Sequence, residues 1–517
     1  MDDLTPRLRA IADLTVATTR EEGGRHEYDG RMADLSPEGV RAGLARLGAG
    51  DPEEDPHDEA HLAAVERGLR YELGELELHR SNPNYHLGEL DLSGYDKAYA
   101  PEAERRAAVE RHLAAWPDGV DAAIASLDRV SAPVATALLA GARGLAEAVP
   151  ADVGEGVREP ALAAHRRLVA HLERAAAEGD PSAALGGSAL ARLMATSEAA
   201  EVDLGRLAER ADAERDRLMA LLAESAARID PDRAPLDVAR SLVRDHPDAA
   251  GVLEAARAWT EYAIAFTRER DLVPYHDGEC VVTTSPASRR WATAMLSWSA
   301  PAEPDGPTYY YVTPPDPAWS AQESAEWLEM FSSTTLPGIT VHEVAPGHFS
   351  HGRALRRAPG QVRRTLFSMS FAEGWAHYAE EMCLEEGFAQ AAARAFADSG
   401  ITAAHLEIGT WLEALIRVTR LASAIGVHTG AMTVEESARR FTADTHLAGP
   451  AALAEAERAA HDPTYGCYTW GKLEILDLRE RARARWGADF TLKRFHTAML
   501  DLGSPPLGLL GTALERG

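Results

Sequence analysis

Apolar residues recur every three to four positions along most of this chain, and that period restricts it to a helical fold. Leu204, Leu207, Ala211, Leu218, Leu221 and Leu222 mark one stripe. Val109, Leu113 and Trp116 mark a second, and Leu253, Ala256, Trp259, Ala263 and Phe266 a third. Stripes of this kind are core faces and carry no chemistry of their own. Pro, Gly and Asp cluster at 48–59, 148–160 and 230–235, where helices should break. At 517 residues, 45% of them hydrophobic, the chain can bury a large core. The expectation is a mainly α, multi-helix architecture. Residues 1–230 form an N-terminal region and 231–517 a second one, joined as one continuous two-lobed fold.

Residues 277–318 depart from the helical pattern. "TAMLSW" (293–298) and "TYYYVT" (308–313) are rich in aromatic and β-branched residues, with the turn-like "SAPAEPDGP" between them. They predict a small β element near 280–313, either a packing hairpin or a rim strand whose edge receives an extended ligand. The helix then restarts at a capping box, Ser320-x-x-Glu323, and should end near Phe331.

The formal charge of −28 is spread along the chain, which argues against nucleic acid as a partner and favours a basic or neutral substrate. Cys280, Cys383 and Cys467 are too scattered for a disulfide framework. The N-terminal residues lack the pattern of a secretory signal, and no window is apolar enough to span a membrane. These features together suggest a cytoplasmic protein.

The chemistry concentrates in "HEVAPGHFSH", 342–351. It begins like His-Glu-x-x-His, whose two histidines face one metal because residues four apart differ by about 40° around a helix. Here Pro346 stands at the second ligand position and the next histidine is His348. Residues six apart are about 120° out of phase in a straight helix. Pro346 removes a helical N–H and Gly347 relaxes the backbone, so a two-residue bulge would return His348 towards His342. The alternative is that Pro-Gly merely ends a helix capped by histidines.

A second motif, "SFAEGWAHYAEEM" (370–382), sets Glu373, His377 and Glu380 near one helix face. A carboxylate on a second helix completes a His₂Glu zinc site of His342, His348 and Glu373, with a position left open for water. A buried Glu–His hydrogen bond between core helices is the alternative.

The two motifs together, HE-x-x-PGH and EGW-x-x-Y-x-E, resemble those of the bacterial "domain of unknown function 885" family. Weaker matches are "SNPNY" (81–85), Glu455-x-x-Arg458, Tyr468-x-x-Gly471 and "FHTAMLDLGSPPL" (495–507). The resemblance implies a metal-dependent peptidase or hydrolase, similar in architecture to neurolysin-type and carboxypeptidase-type zinc proteases. The chain departs from the family at Phe349, where a further histidine is common, and at "DPTYGCY", where Pro-Gly-Gln is common. The first departure removes an alternative ligand.

On this reading one Zn²⁺ per chain activates a water, and Glu343 is the general base that passes a proton to the leaving amine. Tyr468, Tyr465 and His377 are candidates for the oxyanion donor, with Tyr468 first because it matches a family position. His377 has two further readings, as a partner orienting Glu373 or as a fourth ligand. His351 falls on the far side of any regular helix and is read as a bystander. Nothing around His428 or His461 brings them to a site. Arg417 and Arg420 could bind a substrate carboxylate bidentately, but a helix-surface ion pair is the expected role of either. The expected substrate is a short peptide or small amide. One rival is a helical iron or manganese oxygenase, whose paired Glu-x-x-His motifs are matched only by Glu54-x-x-His57, broken by Pro56. The other is a non-catalytic metal- or peptide-binding protein.

Overall fold

The computed structural model describes residues 3–286, 289–290, 292–303 and 306–517. Ala287, Ser288, Trp291, Pro304 and Asp305 of the β-prone stretch, and Met1 and Asp2, lie outside the described residues. The predicted helices form. Glu102–Ser126 buries Leu113 and Trp116 and packs on Glu155–Glu178, and this pair encloses an N-terminal core with Val120, Leu168 and Leu172. A second N-terminal cluster joins Leu8, Ile11 and Leu62 to Val362 and Leu366, just ahead of the second motif.

The main core runs from Leu190 to Leu514 and is built by the helices that carry the site. In chain order these are α1 (Leu204–Ala227) and α2 (Ala249–Glu269), strands β1 (Cys280–Thr284), β2 (Ala294–Ser297) and β3 (Thr308–Val312), then α3 (Leu336–Glu343), α4 (His348–Leu355), α5 (Met369–Glu385), α6 (Ala403–Thr429), α7 (Gly449–His461) and α8 (Cys467–Trp486). Trp375, Tyr378, Leu412 and Leu415 are almost fully buried here, each such side chain stabilising the fold by about 1.5–3 kcal/mol.

The β element is a three-stranded sheet of order β1-β3-β2, so the expected hairpin of β2 and β3 gains a third strand. β2 runs antiparallel to β3 with Leu296 opposite Tyr310, and β1 runs parallel with Val282 opposite Tyr310. Tyr310 is fully buried and its hydroxyl lies 3.5 Å from Thr340 Oγ1, so this face of the sheet covers α3. The capping box at Ser320 and Glu323 is formed, and a 3₁₀ turn carries its helix to Phe331. Cys383 and Cys467 are buried, Cys280 is partly buried, and all three are free.

Candidate metal centre

α3 starts behind Thr335 with Pro337 in its first turn, as the sequence predicts, but it stops at Glu343. The backbone leaves helical angles at Val344 (φ −105°, ψ −102°), passes a cis Ala345–Pro346 peptide, and re-enters a helix at His348. The expected bulge inside one helix is therefore a break between two. Pro346 has no N–H to continue the ladder, and the Gly347 N–H reaches back to the Val341 carbonyl at 3.2 Å. A side chain at Gly347 would put its Cβ 1.9 Å from the His342 carbonyl oxygen, so the turn admits glycine alone.

α5 closes over this break. Trp375 Nε1 donates to the carbonyls of Pro346 at 2.9 Å and Gly347 at 3.2 Å. The tryptophan of one motif thus fixes the proline-glycine turn of the other and sets α5 against α3 and α4. The result brings His342 Nε2 to 3.3 Å and His348 Nε2 to 3.4 Å from one oxygen, Glu373 Oε2. The two imidazole rings stand at 88° with centroids 4.7 Å apart. Among the described residues these three form the one group of His, Cys, Asp or Glu side chains whose ligand atoms all lie within 4.8 Å.

On the three donor side chains, two buried polar atoms have no hydrogen bond, Glu373 Oε2 and His348 Nδ1, as do His377 Nε2 and Arg417 Nε behind them. A buried carboxylate oxygen that faces two imidazole nitrogens without a hydrogen bond is a place where a cation between the three is favourable. A tetrahedral ion with bonds of about 2.0–2.1 Å spaces its ligands about 3.3–3.4 Å apart. The two spacings to Glu373 match that figure, and two imidazoles with one carboxylate are donor types that a divalent metal accepts.

Behind His342 lies a layer the sequence reading did not assign. Glu380 Oε1 bonds His342 Nδ1 at 2.6 Å, and its Oε2 meets Arg417 at 3.1 Å and His377 Nδ1 at 3.4 Å. Burial presses the His342 imidazole down, but Glu373 and Glu380 outweigh it and lift it to about 9. Burial likewise raises the Glu373 and Glu380 carboxyls, yet the facing imidazoles, with Arg417 for Glu380, hold both well below the usual range. Arg417 is 7% exposed, so the expected surface ion pair is a buried one. Arg420 is also no surface pair: both its contacts to Glu455 are 2.7 Å, in a half-buried setting between α6 and α7. His377 does not orient Glu373. The Glu373 carboxylate turns to the two histidines of the first motif, leaving His377 to bond Glu380 one turn away. Burial, with Lys472 nearby, lowers His377 to about 4 and keeps it neutral.

α8 crosses α5 at glycine on glycine. A Cβ at Gly374 would lie 2.5 Å from Gly471 Cα, and one at Gly471 would lie 2.0 Å from the Ser370 carbonyl oxygen. That crossing carries Tyr468, one turn before Gly471, to the ring of His342, with centroids 6.4 Å apart. The Tyr468 hydroxyl makes no hydrogen bond among the described residues; burial and Glu373 keep its phenol well above the ordinary value. Tyr465 instead donates to the Glu455 carbonyl at 3.2 Å and is buried. Glu343 is 8% exposed and its carboxylate has no hydrogen bond among the described residues; its charge acts on Cys280 and Tyr310 of the sheet.

The remaining histidines bond backbone elsewhere: His351 Nε2 to the Gly503 carbonyl at 3.2 Å and His428 Nε2 to that of Ala459 at 2.7 Å. His461 is absent from the donor group, and its carbonyl accepts from Asn82 of "SNPNY" at 2.7 Å.

With this geometry in place, the sequence profile of the family described as "Bacterial protein of unknown function (DUF885)" matches residues 18–514. The chain belongs to that family. The DUF885 fold recurs in a solved structure described as a "putative lipoprotein of unknown function" from Shewanella oneidensis, 20% identical, covering 97% of each chain with a TM-score of 0.75. It recurs again in a "putative lipoprotein" from Colwellia psychrerythraea, 15% identical, covering 99% of each chain with a TM-score of 0.73. No curated protein matches the chain. Among the described residues no helix is long and apolar enough to cross a membrane.

Proposed function

We propose that this DUF885 member is a metal-dependent hydrolase of peptide or amide bonds, with one zinc ion held by His342, His348 and Glu373. The observation that carries the reading is the convergence of two imidazole nitrogens on one buried oxygen, Glu373 Oε2, at 3.3 and 3.4 Å without a hydrogen bond to it. Zinc, when bound, supplies a Lewis acid towards a carbonyl and lowers the pKa of water. The other parts are the chain's own. Glu343 comes directly after a ligand in sequence and has no competing partner, so its carboxylate is free to take a proton from water and return it to the leaving amine. Tyr468 keeps its proton, has an uncommitted hydroxyl and sets its ring 6.4 Å from that of His342, which suits an oxyanion donor. His377 serves as a positioning residue, through Glu380.

An extended substrate has an edge to bind. Thr313 N–H bonds the Thr293 carbonyl, so with Ala294 opposite Val312 the N–H and C=O groups of Ala294 and Leu296 point away from β3. Directly after β2, Trp298 packs its ring 6.4 Å from that of His348. This arrangement favours the rim-strand role for β2 and a short peptide as substrate. Architectural kinship to neurolysin-type and carboxypeptidase-type zinc proteases belongs to the same reading, as does a reducing, cytoplasmic setting suited to three free cysteines.

The test is Glu343→Gln in zinc-loaded protein, assayed on a mixed peptide pool by mass spectrometry. The reading expects cleavage by the parent and retained zinc with cleavage lost in the variant. Unchanged turnover would remove Glu343 as base, and an inert parent would favour a binding protein.

A further inference from the structure

Trp298, whose ring lies 6.4 Å from that of His348, begins the turn that leads from β2 towards β3. Hydrogen bonds close this turn on Glu303. Ser299 Oγ donates to the Glu303 carbonyl at 2.6 Å, and the Ala300 N–H to Glu303 Oε2 at 2.9 Å. The turn packs on the N-terminal region, where a Cβ at Gly24 would lie 2.9 Å from Ala300 Cβ and 3.1 Å from Glu303 Cγ. Across that contact Glu303 Oε1 lies 2.9 Å from His26 Nε2, and the other ring nitrogen, His26 Nδ1, lies 3.2 Å from Asp29 Oδ1. The imidazole stacks on Tyr99 with centroids 3.5 Å apart, and the Tyr99 hydroxyl donates to Asp29 Oδ2 at 2.7 Å. Stack and carboxylate hold the ring on the N-terminal region, and Glu303 ties it to the turn.

A carboxylate only accepts. An imidazole with one at each nitrogen needs two N–H groups, hence a positive charge, and its neutral form must give up one of the two contacts. Burial presses His26 down, but Asp29 and Glu303 outweigh it and raise it above 6.5. A raised folded value means that the bridge is complete below pH 6.5 and is lost as the pH rises through that value. With 25% of the side chain exposed, solvent reaches the ring. Other charges packed around the bridge have partners of their own. Lys97 Nζ lies 3.8 Å from Glu303 Oε2 and donates to the Glu21 carbonyl at 3.3 Å, while Arg289 pairs with Glu21. Arg25 bonds Glu27 at 2.7 Å, and Arg356 Nη1 donates to Ser299 Oγ at 3.1 Å. Glu22, two residues before Gly24, titrates in the same range, since burial and Glu21 push its carboxyl up to about 7.

We infer that Asp29, His26 and Glu303 form a proton-operated latch, closed while His26 carries a proton on both nitrogens, that holds the turn after β2 against the N-terminal region. Loss of one proton breaks the chain of contacts at Asp29 or at Glu303 and loosens the turn that begins at Trp298, beside His348. That loosening would ease the entry of an extended chain to the β2 edge, a consequence that rests on the hydrolase reading. The latch itself does not.

Amide hydrogen exchange of the full chain tests it, read by mass spectrometry over residues 298–303 from about pH 6 to about pH 9 and corrected for the intrinsic pH dependence of exchange. Exchange in the turn should accelerate about 10- to 100-fold as His26 loses its proton, the worth of one charge-assisted hydrogen bond, with no such step in the helix Glu102–Ser126. His26→Gln, with one donor and one acceptor, should exchange fast at every pH. Asp29→Asn should move the step to lower pH, and Glu22→Gln should leave its midpoint in place. Circular dichroism confirms each fold, and the shift in Asp29→Asn carries the test if His26→Gln does not fold. A parent without the step, a step that survives His26→Gln, a midpoint unmoved by Asp29→Asn, or a step that Glu22→Gln removes overturns the inference. A parent that shows the step yet cuts no peptide would sink the hydrolase reading while leaving the latch intact.

Discussion

Glu380 is the residue on which the layer behind His342 depends, and Glu380→Gln measures its worth. The carboxylate is 2% exposed and accepts on both oxygens, from His342 Nδ1 at 2.6 Å and from Arg417 and His377 at 3.1 and 3.4 Å. Glutamine is nearly isosteric but carries one acceptor and one donor end. Whichever way the amide is turned, its NH₂ faces a donor: the His342 Nδ1–H or the Arg417 guanidinium. The substitution also leaves Arg417, 7% exposed, as a buried charge whose remaining ion pair among the described residues is with Glu413 at 3.6 Å. Breaking a buried pair in this way costs about 3–5 kcal/mol. At about 2.1 cal/mol/K per residue the unfolding entropy of a chain this size is about 1.1 kcal/mol/K, so the loss lowers the melting temperature by about 3–5 °C. The freed His342 ring should in addition weaken zinc by about 10- to 100-fold, the usual effect of losing a partner that orients a ligand. Calorimetry of the metal-free chain reads the first quantity and competition with a chromophoric chelator the second. Adding Arg417→Met to the variant should recover part of the stability but not the zinc affinity, since it removes the stranded charge without restoring the acceptor. A melting temperature within about 1 °C of the parent, or zinc affinity within about twofold, would refute the reasoning.

Other consequences are as direct. Gly347→Ala must move the His342 carbonyl, which a Cβ would meet at 1.9 Å, so zinc affinity should fall at least about tenfold in the chelator assay; parent-like affinity would mean the turn is not what places His348. Tyr468→Phe should cost about 10²–10³ in kcat with zinc retained, the size of a lost oxyanion donor, and an unchanged kcat would remove it from that role. Burial lowers His57 and His496 to about 4 and His61 and His112 to about 3, from 6.5 when unfolded. Depressed folded values mean that their contribution is complete above pH 6.5 and is lost as the pH falls towards 4. Each should steepen the decline by up to about 1.4 kcal/mol per pH unit, read from urea midpoints between pH 7 and 4. His61→Leu, at a site where neither ring nitrogen has a partner, should flatten that slope by one proton, and an unaltered slope would contradict it.

Local signals carried much of this fold. The 3.6-residue stripes at Leu204–Leu222 and Leu253–Phe266 became helices with those residues inward or half-buried, and Ser320 capped its helix as written. The convergence of His342, His348 and Glu373 was legible because they are close in sequence and a metal site restricts the residue types to look for. What the sequence hid was non-local. Glu380 bonds a histidine 38 residues away, and nothing short of packing α5 on α3 reveals it. Trp375 reads as core until its indole N–H is seen on the Pro346 carbonyl. Arg417 and Arg420 resembled surface pairs because helical charge patterns look alike whether the face meets water or another helix. The same limit applies to Pro346: a missing N–H predicts a disturbed helix, while the choice between a bulge and a full break rests on what covers the exposed carbonyls.

The metal is the centre of the account, and metal content measures it most directly. Protein purified without added metal and analysed by elemental mass spectrometry should carry about one zinc per chain. His348→Ala should lose that ion, whereas His351→Ala and Glu343→Gln should keep it. A parent with no tightly bound metal, iron in place of zinc, or an equal metal content in His348→Ala would contradict the account.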